Sequence, residues 1–554
     1  MHRNTLALLF GSTSLALSCC QPLAAQPALT AQTNHSSTNT FALGETVSLD
    51  LRADGLAPNA STGLEIFISD EQGHALAHRS TTILADGAGH AQIELPAPAD
   101  HYGYYEVKAT LANGTALPAQ GTRPAGILSY AVVPDPAKRT DYGPEKSHFG
   151  FQGGYNDKAP VLRYLGAHYF HGGGGWIAME PSAPGQFTPR TGRIAGGAPG
   201  KPWVHLALQD GSPQQAPWHM YAISTVTNAG IPAWALEAGT QGKVCKGFGA
   251  LNSAGRQAFP GFAGRLAQEF AAVWPDTHPR IYQVTWEPGK TWCFGGTPDQ
   301  LVAYYALAYD AIHKADTEAL VAGPTLFMQT ASANELDGLL AAGLGRYLDV
   351  LSIHPYVMPN DIAPEKAQFL PLLHRQLAAV QKAKGHPVPF IGTENGYESD
   401  YGGLLEQARR DLRVTLMMLG EGARFDFGFY VHDFWDAGHP TQIRSFGYYW
   451  NLNPRVPFGS DMLSPKPVAP AYAVMSWLLD GSQAQGPASG LSGTQVGYRF
   501  LRAGQQTEVV WDYGNGSTLA VPAGAKVLNW MGNPVSHGKT IDLTGSPVYL
   551  LLAG

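Results

Sequence analysis

With 554 residues, 14% of them charged and with 65 Gly and 41 Pro, the chain is longer than one ordinary core and rich in turns and strands, which sets a prior of roughly two to four domains. A hydrophobic content of 44% excludes a disordered chain. The net charge of −7, with no stripe of Lys and Arg among aromatics, excludes nucleic acid as a partner and favours a neutral ligand.

Residues 1–25 read as an export signal: Arg3, an apolar stretch from Leu6 to Leu17, then small residues. The stretch is too short and wrongly flanked for a spanning helix, and no other segment approaches a membrane span. Leu17, Ser18, Cys19 and Cys20 look like an imperfect lipoprotein box, in which Cys19 or Cys20 would carry lipid; the alternative is ordinary cleavage near Ala25. The expected location is therefore outside the cytoplasm: periplasmic, secreted, or lipid-anchored to the outer membrane. Of the 4 cysteines only Cys245 and Cys293 remain, with no CxxC spacing that would suit a metal. A disulfide is the first reading and two separate buried thiols the second.

Residues 35–135 alternate apolar and polar positions in short runs such as ETVSLDLRA, GLEIFISDEQ and GYYEVKATLANG, separated by turn signals. That spacing predicts a β-sandwich, read as an accessory domain because it holds no cluster of acids, His or Cys. PDPAKRTDYGPEK, residues 134–146, is a linker by composition. Over residues 145–482 apolar strands alternate with amphipathic runs. Eight strands are predicted, starting near Ser147, Leu165, Gly230 (GIPAWALEAG), Arg280, Ala319, Leu348, Pro389 and Phe425. This is the α/β pattern of a closed (β/α)8 barrel. Residues 486–554 return to short alternating strands and predict a small C-terminal β domain.

Two predicted barrel strands end in a Glu: the fourth in Trp286-Glu287-Pro288 and the seventh in Thr393-Glu394-Asn395. Strand ends on one face of a barrel look at each other across its mouth. Two carboxylates there are what glycosidic bond cleavage needs, one to protonate the leaving oxygen and one to attack or to activate water. Glu180, Glu237, Asp433 and Asp436 compete for these roles. Trp435, Trp286, Trp292, Trp176 and Trp234 also fall near strand ends; some are expected to pack the barrel, and Trp435 is the chosen sugar platform. No GxSxG elbow, HExxH, phosphate loop or dinucleotide fingerprint is present, so neither a metal nor an organic cofactor is expected.

The tips WEP, IHPY (Ile353 to Tyr356), TENG and the pair Phe434-Trp435 together resemble clan A glycoside hydrolases, most closely family 39-type enzymes, which include β-xylosidases and bacterial exopolysaccharide glycosidases. The resemblance covers the barrel and the ending SPVYLLLA but not the N-terminal sandwich. It implies a retaining enzyme with Glu287 as acid/base, Glu394 as nucleophile, a hydrogen bond to that nucleophile from Tyr356 or a neighbour, and His354 lining the sugar subsite. The sequence departs from the clan in two places: Trp286 stands where Asn usually precedes the acid/base, and His171 stands where an Arg usually ends the second strand. An Arg keeps a neighbouring carboxylate ionised, whereas His does so only when protonated or as a neutral donor. The expected substrate contacts are His171, Trp286, Trp292, His354, Tyr356, Asn395 and Trp435, with the two carboxyl groups roughly 5–5.5 Å apart. The function expected is cleavage of an oligo- or polysaccharide by double displacement. The alternatives are a carbohydrate-binding protein on a decayed barrel and a transglycosidase.

Overall fold

The computed structural model describes residues 26–139, 143–153, 159–173, 175–187, 221–226, 230–275, 277–289, 292–357, 362–436, 439–453 and 462–552. The expected export signal, with Cys19 and Cys20, lies outside the described residues.

Near the N-terminus a three-stranded sheet (Ala28–Thr33, Val47–Asp54, Ala91–Ala97) faces a five-stranded one built from Thr40–Ala42, Leu128–Val133, Gly103–Leu111, Ser61–Ser69 and Ala75–Leu84. Period-two alternation decides which side chains meet. Val47, Leu49, Leu51 and Ala53 all point inward from one strand and share a core with Leu64, Ile66, Tyr105 and Val107 of the other sheet. Every residue of Leu128–Val133 is buried, because its second face rests on the barrel. There Ala131 and Val133 pack on Ala473, Ser129 Oγ lies 2.7 Å from Ser464 Oγ, and Asn39 Nδ2 donates to Leu463 O at 2.6 Å.

Eight parallel strands close into a barrel: β1 (Phe149–Gly153), β2 (Tyr169–Gly173), β3 (Tyr221–Thr225), β4 (Arg280–Gln283), β5 (Ala319–Phe327), β6 (Val350–His354), β7 (Phe390–Asn395) and β8 (Asp426–Tyr430). The third strand corrects the sequence reading. GIPAWALEAG is not a strand; it carries a short 3-10 turn at Ala233–Ala235 and packs beside the helix that begins at Ser253. Asn252, the cap of that helix, donates its amide to Trp234 O and Leu236 O, and the loop at 247–252 supplies further backbone partners, so the run is satisfied outside the barrel sheet. Ile231 and Ala235 are buried against the outside of the barrel, with Trp234 and Leu236 partly so, a demand that produces the same composition as a parallel strand.

The surrounding helices begin and end on local signals. Pro298–Ala315 starts with a capping box, in which Thr297 accepts from the Gln300 N–H and Gln300 reaches back to the Thr297 N–H, with Pro298 in the first turn. Phe369–Lys384 ends on Lys382 and Lys384, followed by Gly385 at φ 79°, where a left-handed residue stops a helix without a Cβ penalty. A C-terminal five-stranded sheet (Gln483–Pro487, Gln495–Arg502, Gln505–Asp512, Val548–Leu551, Lys526–Leu528) is pinned to the barrel by Trp511 Nε1, which donates to Glu365 Oε1 at 2.6 Å.

One buried ion pair holds the loop after β8. Lys466 Nζ, on a fully buried side chain, donates to Asp433 Oδ1 at 2.7 Å and to Ser445 O at 3.0 Å. Even so, burial raises the Asp433 carboxyl to about 6. Lys466→Met keeps the volume and strands that carboxylate, and is expected to destabilise the protein by about 3–5 kcal/mol. Thermal unfolding at pH 7.5 checks this, and Asp433→Asn on top of Lys466→Met should recover much of the loss.

Candidate active site

Along β6 the side chains that point into the barrel are Val350, Ser352 and His354, while Leu351 and Ile353 face the helices. The interior thus rises through three layers. The lowest is apolar and holds Tyr169, Ile223, Ile281, Val350, Ile391 and Phe427. Above it Gln283, Ser352 and Thr393 form a polar layer, with Ser352 Oγ 3.4 Å from Gln283 Oε1 and 3.1 Å from Thr393 Oγ1. The third layer, at the C-terminal ends of β4, β6 and β7, holds Glu287, His354 and Glu394, which are 7%, 0% and 5% exposed. Burial this deep makes every ionisable contact here a strong one.

The sequence brings both glutamates to this layer by irregular backbone. Glu287 sits at φ 47°, in the left-handed region that a residue with a Cβ seldom adopts and that costs of order 1 kcal/mol or more. In β7 the pairing with β8 slips between Gly392 and Asn395, three residues of β7 running against two of β8. Strict alternation would send Asn395 inward after Thr393; the slip gives its place to Glu394. Asn395, expected to contact sugar, is thereby turned into the barrel wall, where its amide donates to Asp426 Oδ2 at 2.9 Å and to Thr415 Oγ1 at 3.1 Å.

Three of the expected residues meet the two carboxylates directly. Trp292 Nε1 donates to Glu287 Oε2 at 2.6 Å, and His354 Nδ1 lies 2.7 Å from Glu287 Oε1 and 3.6 Å from Glu394 Oε2. Tyr356 donates its hydroxyl proton to Glu394 Oε1 at 2.9 Å. One oxygen of Glu287, one of Glu394 and a ring nitrogen of His354 all lie within 4.8 Å of one another. Trp286 fills the space between the two histidines, its ring 5.3 Å from that of His171 and 4.9 Å from that of His354. His171, on β2, also lies against Phe427 at 5.4 Å.

The electrostatics follow from the missing arginine. Among the described residues no Lys or Arg pairs with either carboxylate. Burial, joined by the neighbouring His354, pushes His171 well below the ordinary imidazole value, so it is neutral and brings no positive charge. Burial, reinforced by the charge of Glu287 and opposed by the Tyr356 hydroxyl, pushes the Glu394 carboxyl well above the usual range. The pair therefore retains a proton where two exposed glutamates would have none.

The remaining expected residues lie farther out. Trp435 is half-buried on a hairpin (Phe434–Asp436 with His439–Arg444) beyond β8, opposite Ile443. Arg444 of that hairpin bonds Glu398 at 2.9 Å, which fastens it to the loop after β7. Trp176 is fully buried among Trp234, Phe259 and Phe262 and is barrel packing. The competing acids have other partners: Glu180 accepts from Trp176 Nε1 and the Gly185 N–H, Glu237 from Gln300, Asp433 from Lys466 and Asp436 from Arg444. Sequence reasoning missed Phe327, Phe429 and Phe446, whose rings stand 6.0 to 6.3 Å from that of Tyr356. Cys245 and Cys293 are disulfide-bonded, which fixes the residue next to Trp292.

Asp426, behind β7, supplies a test of this buried polar wall. It accepts from Thr415 at 2.6 Å and from Asn395, yet burial raises its carboxyl to about 7, against 3.8 ordinarily. The folded state holds this proton more tightly than the unfolded chain, so stability is fully present below pH 4 and falls as pH rises towards 7. The cost is of order 4 kcal/mol at about 1.4 kcal/mol per unit. Asp426→Asn is expected to match the wild type in Tm near pH 4 and to exceed it at pH 8.

No family model and none of the curated proteins match the sequence. The structure is similar to that of a family 39 glycoside hydrolase from the gut symbiont Bacteroides cellulosilyticus WH2, with a TM-score of 0.63 and 16% identity over 94% of this chain and 100% of that one. It is also similar to BuGH86wt, solved in complex with neoagarooctaose, with a TM-score of 0.50 and 11% identity over 74% of this chain and 75% of that one. From the N-terminal sheets through the barrel to the C-terminal sheet, the chain shares its fold with the family 39 glycoside hydrolase.

Proposed function

We propose that the protein is a retaining glycoside hydrolase acting on an oligo- or polysaccharide, with Glu394 as nucleophile and Glu287 as acid/base. The observation that carries this is the pair of buried carboxylates on the ends of β4 and β7, with oxygens within 4.8 Å. Oxygens this near suit the roughly 5–5.5 Å separation of a retaining pair rather than the ~6.5–9.5 Å of an inverting one.

In the first step Glu394 forms a bond to the anomeric carbon while the glycosidic C–O bond breaks and Glu287 gives its proton to the departing oxygen. In the second, Glu287 takes a proton from water, which attacks the anomeric carbon and releases Glu394. The chemistry needs one proton and one negative charge on the pair. The raised Glu394 carboxyl supplies the proton, and His354 Nδ1, between the two groups, carries it to Glu287 when the sugar arrives. Tyr356 then stabilises the ionised Glu394. Trp292, 40% exposed, offers an indole face to the sugar while its N–H orients Glu287.

Export to an oxidising compartment suits the Cys245–Cys293 disulfide. The test is digestion of a diverse polysaccharide panel by wild type and Glu394→Gln. Cleavage by the wild type alone, with sugar binding kept by the variant, supports the enzyme; a wild type that binds sugars and cleaves none supports the carbohydrate-binding alternative.

A further inference from the structure

Glu287, His354 and Glu394 have the makings of a second kind of site. Each offers one donor atom, and the three atoms lie within 4.8 Å of one another. The opposite oxygen of each carboxylate is held from behind, Glu287 Oε2 by the Trp292 N–H and Glu394 Oε1 by the Tyr356 hydroxyl. Outer donors of this sort orient the carboxylates of metal centres. Among the described residues nothing donates a hydrogen bond to Glu394 Oε2, which belongs to a side chain 5% exposed and lies 3.6 Å from His354 Nδ1.

The distances suit a small ion. Bonds of 2.0–2.2 Å in a tetrahedron put ligand atoms about 3.4 Å apart. His354 Nδ1 and Glu394 Oε2 are already 3.6 Å apart, and His354 Nδ1 and Glu287 Oε1 at 2.7 Å need open by less than about 1 Å. An imidazole nitrogen in a three-ligand set favours zinc or copper over calcium and magnesium, which seek six or more oxygens.

We propose that, without substrate, Glu287, His354 and Glu394 bind one first-row transition ion of the zinc or copper class, and that this ion holds the site inactive. The binding claim stands on the three donors alone; the inhibition claim rests on the hydrolase reading. A bound ion occupies the oxygen that would attack and the oxygen that would carry the proton. Substrate and ion therefore exclude each other.

The test is isothermal titration calorimetry of the chelator-treated full chain with zinc chloride and, separately, magnesium chloride. One zinc per chain at a micromolar or lower Kd is expected, with no heat from magnesium. His354→Gln and Glu394→Gln, each checked for a wild-type Tm, should weaken zinc at least tenfold. Zinc binding that is absent, or equally tight in both folded variants, overturns the proposal. Calorimetry needs no substrate, so failure to find a cleavable sugar leaves the binding result intact. With a substrate in hand, zinc inhibition should be competitive and reversed by chelator; inhibition unaffected by substrate concentration overturns the claim that the two exclude each other.

Discussion

Glu394→Gln is expected to lower kcat by about 10⁴- to 10⁶-fold, the scale seen when a nucleophile is removed from a site whose other members remain. The variant should still fold and bind sugar. The Gln carbonyl can accept from Tyr356 as Oε1 does, and the amide replaces an oxygen that accepts no hydrogen bond from the described residues. It also removes a buried carboxyl that burial and Glu287 have pushed upward, a strain on the folded state at neutral pH. The Tm at pH 8 should therefore equal or exceed that of the wild type, as expected where stability has been traded for activity. Loss of activity together with a lowered Tm would mark Glu394 as a structural residue instead. Activity within tenfold of wild type would move the nucleophile elsewhere.

The second large effect is at Glu287, and it depends on the leaving group. Glu287→Ala is expected to cost about 10²- to 10⁴-fold on a natural glycoside, whose departing alkoxide needs a proton. A glycosyl fluoride needs far less help, so bond cleavage there should survive while the glycosyl-enzyme accumulates for want of a base. Azide, a small anion that attacks without proton removal, should fill the vacated space and speed turnover. A loss that is the same for every leaving group, with no response to azide, would argue that Glu287 only positions its neighbours. Trp292 and His354 each bond one oxygen of Glu287, so Trp292→Phe should show a weaker form of the same pattern.

What the sequence revealed, and what it hid, divides by the range of the forces involved. β6 and β7 were legible because Val350 to His354 and Phe390 to Glu394 are short apolar runs with a polar tip, and all are buried in the barrel. The third strand was hidden because burial against the outside of the barrel selects the same residues in Ile231 to Leu236 as a strand would. Asn395 was misplaced by a one-residue slip in pairing, which leaves no mark in composition. The neutrality of His171 could not be read from its neighbours in the chain, since burial decides it. The same holds for the partner of Asp433, a lysine 33 residues away that only the fold brings near. Trp292 is five residues from Glu287, and only the geometry shows its indole N–H bonding the carboxylate.

The central claim is that Glu394 and Glu287, as close as the carboxylates of a retaining pair, act by double displacement. The most direct measurement follows the anomeric proton of the first-formed product by NMR during digestion of the substrate that the polysaccharide panel identifies, before mutarotation blurs it. Retention of the anomeric configuration is the expected result. An inverted first product would contradict the mechanism and the assignment of Glu394 as nucleophile.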